Sequence, residues 1–326
     1  MAFEIERCNS LLRADEIKGF FQRNDRSTFP ALFERAYPPA MAAGGSSWIA
    51  RDAQGVVVGH LAAFPRLFRS AVGTARAALL VDLLVEERHR DFWSAVALCR
   101  RAVSDLCSAG AFDFAFTDPT PPAQLALKAA GFAQSAAFER FVTPVHALYN
   151  RLFQIAARTE PLLAERVDRG DQARVSDALR AVPPGSYFRA ERSLELYATR
   201  LGGEAIADWE WLVLRPQRDP RAPDAALAVT SRQAGGATLS IVDLVWDERR
   251  VPVASVLQAI IEVAGQEGCN KLSISTLANG SFVRALRSRG FIRRADTLPL
   301  FVVRTSCAEL PPVSDWFLTY FDGSGW

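Results

Sequence analysis

Apolar positions in this chain switch between a period of two and a period near 3.6, and the switches come in the same order in both halves. Strands are predicted at 3–8, 47–51, 56–64 and 77–85, with Asp52-Ala53-Gln54-Gly55 turning a hairpin in which Gly55 can take positive φ. Three- and four-residue spacing predicts helices over 15–22, 30–36 and 92–108, the last stopped by Gly110. A short aromatic strand at 111–116 leads through Pro121 and Pro122 into helix 123–130, ended by Gly131, and a strand region at 133–142 follows. Residues 144–167 read as helical. Helices at 175–181 and 193–200 come next, then strands at 209–215, 225–231 and 238–246. Helix 253–266, strand 271–276 and helix 281–289, closed by Gly290, complete the series.

The repetition is anchored by residues. Val81-Asp82-Leu83 recurs as Val242-Asp243-Leu244, and Gly131-Phe132 recurs as Gly290-Phe291, at nearly the same offset. A three-residue match is cheap, but a shared order of strand, helix, strand, helix and Gly-Phe is not. The expectation is an α/β protein of two tandem domains: 1–145, a helical connector at 146–170, 171–310, and an aromatic tail at 311–326.

The stretch 81–98 concentrates the candidate chemistry. An apolar strand ends in Glu86-Glu87-Arg88-His89-Arg90-Asp91, and a helical pattern starts straight afterwards. A helix N-terminus at a strand's C-terminal end is a standard place to hold an anion, although a solvated strand-to-helix turn has the same pattern.

Composition narrows the class. The chain has 326 residues, enough for two cores, and its 49% hydrophobic and 23% charged residues are globular. A net charge of +2 gives no global field for nucleic acid or an anionic membrane. The five cysteines have no CxxC spacing, and no His/Cys/Asp/Glu set has zinc spacing, so no metal is expected. The N-terminus lacks an apolar h-region and no apolar stretch is long enough to span a bilayer, so a cytoplasmic protein without membrane insertion is expected.

The element order resembles the GNAT superfamily of acyl-CoA-dependent N-acyltransferases, and two motifs carry the resemblance. The family's N-x-x-A-x-x-x-Y-x-x-x-G-F helix is matched in spacing by Thr120-Pro121-Pro122-Ala123, Leu127 and Gly131-Phe132. It is matched again by Asn279-Gly280-Ser281-Phe282, Leu286 and Gly290-Phe291, with leucine replacing the frequent tyrosine in both. The family's R-x-x-G-x-G/A pyrophosphate loop corresponds to Arg90-Asp91-Phe92-Trp93-Ser94-Ala95, in which Trp93 stands where glycine is expected. In the second half Arg249 and Arg250 precede Val251-Pro252-Val253-Ala254, where proline removes one N–H donor. Family glycines let backbone N–H groups close on a pyrophosphate, and a tryptophan forced to positive φ there would be strained.

The resemblance implies two GNAT-like domains, each a mixed, largely antiparallel sheet flanked by helices. It implies acetyl-CoA or another acyl-CoA as co-substrate and the amine of a small metabolite, such as an amino sugar or amino-acid derivative, as acceptor. The cofactor contacts so implied are Leu84, Val85, Arg88, Arg90, Phe92, Trp93, Ser94, Ala95 and Asn279. Amine acylation needs a group to take the amine's proton. Candidates are Asp82, placed by alternation on one strand face with Leu80, Leu84 and Glu86, then Glu86, Glu87 and His89. Asp82 and its counterpart Asp243 also fit a structural aspartate hydrogen-bonded at a strand splay. His60 and His146 have no motif partner. The tail aromatics, from Trp316 to Trp326, are expected to close over the other domain's cleft, to form a homodimer contact, or to pack on their own domain. The alternatives are a degenerate non-catalytic pair acting in binding or assembly, and a Fem-like aminoacyl transferase; the near-neutral charge argues against tRNA.

Overall fold

The computed structural model describes residues 3–90, 92–146, 160–202, 208–219, 221–233, 235–277 and 280–323. The first half runs β1 (Glu4–Cys8), α1 (Ala14–Arg23), α2 (Phe29–Ala42), β2 (Ser46–Arg51), β3 (Val57–Ser70), β4 (Gly73–Val85), α3 (Phe92–Ala109), β5 (Phe114–Thr117), α4 (Pro121–Ala129) and β6 (Ala133–Pro144). The second repeats the plan: β7 (Leu162–Val167), α5 (Gln172–Ala181), β8 (Arg189–Ala190), α6 (Leu194–Leu201), β9 (Trp209–Pro216), β10 (Ala226–Arg232), β11 (Thr238–Trp246), α7 (Val253–Gln266), β12 (Lys271–Leu277), α8 (Gly280–Ser288), β13 (Ile292–Arg304) and β14 (Leu318–Thr319).

Helix α2 shows why these sequences fold as they do. Phe29, Phe33, Ala36, Tyr37, Ala40 and Met41 recur at three- and four-residue spacing, and all are buried against the sheet. The strands alternate accordingly. Ile49, Ala62, Phe64 and Leu79 face α1 and α2, whereas Trp48, Leu61, Ala63 and Leu80 face α3 and α4. The stretch 144–167, read as helical from its spacing, departs from this expectation. Leu162–Val167 is an edge strand paired with β9, and 147–159 lie outside the described residues. Its Leu162 and Val167 are buried on different sheet faces, a two-sided burial that mimics helical spacing.

The described strands join one sheet in the order β1-β2-β3-β4-β5-β13-β6-β12-β11-β10-β9-β7, which reads alike from either end, with β8 paired to β3 and β14 to β12 off this path. The two halves exchange their last strands. β13 of the second half pairs with β5 of the first, and β6 of the first pairs with β12 of the second. Leu300 and Phe301 are thereby buried in first-half cores, and Phe141 in a second-half core. Among the described residues no helix is long and apolar enough to cross a membrane.

Candidate active site at the strand divergence

Parallel strands β4 and β5 are paired only at Ala77 with Phe114, Ala78 with Ala115 and Leu79 with Phe116. Beyond Leu79 they part, and a cavity of about 170 Å³ opens between them, lined by Arg26, residues 80–83 and 117–120, Ala123 and Leu127. Asp82 lies at this opening. The β3–β4 register shifts between His60 and Ala62, and Asp82 takes up the bulge with φ 57°. Aspartate is among the few non-glycine residues that visit the left-handed region readily.

The bulge corrects the face assigned by simple alternation. Val81 and Asp82 turn successively toward α2, so Asp82 does not share a face with Leu80, which packs on the α3 side. Tyr37 Oη donates to Asp82 Oδ2 at 2.7 Å. Burial pushes the Asp82 carboxyl up to about 6, against the opposing effects of the Tyr37 hydrogen bond and the Arg26 charge. Asp82 O lies 3.2 Å from His60 Nδ1. A carbonyl only accepts, so Nδ1 carries the proton; burial pushes His60 down to about 4 and keeps it neutral. Tyr37 and His60 come from α2 and β3, far from Asp82 in sequence, so no local motif announced them.

The turn after β4 places the other expected residues. Glu87–His89 form one 3-10 turn ahead of α3. Glu86 is half-buried and accepts from Arg88 Nε at 3.0 Å, and Glu87 is exposed. His89 sets its ring edge-on to Phe3, with centroids 5.8 Å apart, and Arg90 Nε donates to Val85 O at 3.3 Å. Leu84 pairs with His60 and Val85 with Gly59. Trp93 is the second residue of α3, in helical conformation, and its indole is 66% exposed. The strain expected of a positive-φ tryptophan is therefore absent, and the indole does not fill the interior of the turn. Ser94 is buried and Ala95 packs against the α3-side core. Phe92 begins the helix; its side chain, Asp91 and Asn279 lie outside the described residues. Among the described residues no cluster of His, Cys, Asp and Glu could hold a metal.

The second half builds the same opening and fills it. β11 and β12 pair from Thr238 with Lys271 to Ile241 with Ile274 and then part. Into that gap comes β14, antiparallel to β12, with Thr319 opposite Thr276 and Leu318 opposite Leu277. Asp243, the counterpart of Asp82, is fully buried. Arg192 donates to both its oxygens at 2.6 and 2.8 Å, Tyr197 Oη donates at 2.6 Å and Thr319 Oγ1 at 2.8 Å. Arg192 also holds Asp322 at 2.7 and 2.8 Å. These donors outweigh burial and hold the Asp243 carboxyl below its ordinary value. Tyr37 precedes Asp82 by 45 residues and Tyr197 precedes Asp243 by 46, so the Tyr–Asp pair is itself duplicated. The described part of the tail, 311–323, thus enters the cleft of its own half and packs into the cores of both halves. Trp316 adds to the first-half core beside Phe114 at 5.1 Å, and Phe317 to the second beside Trp246 at 5.0 Å.

Solved structures with this architecture are known. A protein of Enterococcus faecalis described as a probable N-acyltransferase has TM-score 0.69 and 11% identity, over 94% of this chain and 73% of its own. A GCN5-related N-acetyltransferase from Anabaena variabilis has TM-score 0.67 and 12% identity, over 93% and 73%. A tandem GNAT protein from the clavulanic acid biosynthesis pathway has TM-score 0.50 and 14% identity, over 94% and all of its chain. No family model and no curated protein sequence matches the chain. The fold is that of the GCN5-related N-acetyltransferases. It is present as two such units in tandem, with their last strands exchanged.

Proposed function

We propose that the chain is an N-acyltransferase that moves an acyl group, acetyl in the simplest case, from acyl-CoA to the amine of a small metabolite, and that the first half performs the chemistry. The carrying observation is the contrast between two equivalent aspartates. Asp82 is half-buried, lines an open cavity and has a carboxyl raised to about 6, whereas Asp243 is sealed behind β14 and saturated by donors. Acyl-CoA would supply the activated thioester; the gap where β4 and β5 stop pairing would receive its arm, and the turn at Glu87–His89 would hold its phosphates.

The chain's own residues then have distinct tasks. Asp82 takes a proton from the acceptor amine, for which a carboxyl poised near 6 is suited at neutral pH. Tyr37 and neutral His60 are positioning residues that hold the bulge and orient its carboxyl. Glu86, Glu87 and His89 belong to the turn rather than to the Asp82 cluster. The second half acts as a scaffold, contributing β13 to the first-half sheet beside β5.

The test measures acetyl-CoA binding by thermal shift, and free CoA release with panels of amino sugars, amino acids and polyamines. Asp82→Asn is expected to keep acetyl-CoA binding and to lose at least about a hundredfold in turnover, the scale of general-base catalysis. Absence of both binding and release with every donor and acceptor would return the chain to the non-catalytic reading.

A further inference from the structure

A second cavity, of about 470 Å³, lies at the junction of the two halves and shares no lining residue with the opening at Asp82. Its walls are the distal end of β3, strand β8, the C-terminal part of α5, the start of α6 and Val245 of β11. The volume falls within the range of small-molecule sites, and Leu179, Val182, Pro183, Leu194 and Val245 give it an apolar side.

The charges in its lining are one-sided. Arg69, Arg180, Arg189 and Arg192 are present against the single carboxylate Glu191. Three of these arginines have carboxylate partners: Arg192 holds Asp243 and Asp322, Arg69 pairs with Glu191 at 3.2 Å, and Arg180 pairs with Asp177. Among the described residues Arg189 has no such partner. It is 7% exposed, and its Nη2 donates to the carbonyl of Pro183 at 3.2 Å. Among the described residues its Nη1 has no acceptor, nor has Arg69 Nε. Glu248 and, less strongly, Asp243 are the carboxylates whose charge favours Arg189; Glu248 Oε2 accepts from the backbone and hydroxyl of Ser186, its buried Oε1 is likewise without a partner among the described residues, and neither carboxylate makes an ion pair with the guanidinium. A buried guanidinium with an unmet donor is costly unless an anion completes it.

We infer that this junction cavity is a binding site for a small organic anion, its carboxylate or phosphate group received by Arg189 and Arg69 and its apolar body set against Leu179, Val182 and Leu194. Planar guanidinium groups suit both headgroups, and the apolar wall favours an organic ligand over a bare ion. The site straddles the halves, since Arg69 belongs to β3 and Arg189 to β8, which pair at that residue.

The test titrates the full chain with phenyl phosphate and, separately, with benzoate, at constant ionic strength, by calorimetry and thermal shift. The wild type is expected to bind one equivalent of at least one probe, and the preferred probe identifies the headgroup. Arg189→Met is expected to weaken that binding at least about tenfold, the loss of one charge-assisted hydrogen bond, while keeping a cooperative melt. Arg69→Gln, at a side chain 43% exposed, is expected to weaken it in the same direction and serves if the first variant does not fold. Equal affinity in wild type and variants, or no binding of either probe up to about 10 mM, would overturn the assignment.

Discussion

The substitution Asp82→Asn tests the raised carboxyl directly through stability. Asparagine also accepts the left-handed φ of 57° and keeps an oxygen for the Tyr37 hydroxyl, so the change removes little besides the ionisation. The folded-state value of about 6, against an ordinary 3.8, corresponds to about 3 kcal/mol favouring the protonated form. Because the side chain is half-buried and partly screened by solvent, about 1–3 kcal/mol is the working range. The sign follows from linkage. Near pH 3 the carboxyl is protonated in both states and costs nothing. As pH rises from about 4 to about 6 the unfolded chain releases this proton first, so the wild type loses that stability and has lost it fully above pH 7. The variant has no such loss. Urea unfolding of both proteins at pH 4.5 and 7.5 should therefore show the variant gaining about 0.3–2 kcal/mol on the wild type between the two conditions, the rest of the loss having occurred below pH 4.5. A difference that stays constant with pH would refute a raised Asp82, and with it the main reason for preferring the first half as the active one.

Three further outcomes are expected. Tyr37→Phe removes the hydrogen bond that lowers the Asp82 carboxyl, so the acid limb of the kcat/KM profile should move to higher pH; an unmoved limb would separate Tyr37 from catalysis. Arg192→Met leaves Asp243 and Asp322 buried without their cation and should cost about 3–5 kcal/mol in equilibrium unfolding. That cost should be greater at pH 8 than at pH 5, where the stranded carboxyls can bind protons. Leu318→Ala, at a fully buried position of β14 whose side chain packs in the first-half core, should cost about 2–5 kcal/mol, and an effect below about 1 kcal/mol would mean the tail is not anchored in that core.

Much of the architecture could be read from local pattern. Period-two and period-3.6 runs located most elements, because burial of one face writes itself into neighbouring positions. The recurring Val-Asp-Leu and Gly-Phe pairs carried the duplication, and the equivalence of Asp82 and Asp243 followed from it. The pairing of each aspartate with a tyrosine some 45 residues earlier was equally present in the sequence, but it needed the fold to make the contact meaningful. Trp93 misled for the opposite reason. A motif position suggested strained backbone, whereas the residue sits in the first turn of α3 with its indole in solvent.

What the sequence alone determined was therefore the order of elements, the tandem plan and the equivalence of Asp82 and Asp243, all set by spacing along the chain. Only the tertiary structure decided which strands close which half, since any strand edge presents the same backbone donors and acceptors and β5 could pair with β6 or β13 equally by local criteria. It also decided the fate of each aspartate. One Val-Asp-Leu segment is left at an open cavity with a carboxyl near 6; the other is covered by β14 and bound by Arg192, because ionisation depends on burial and on donors brought from far along the chain.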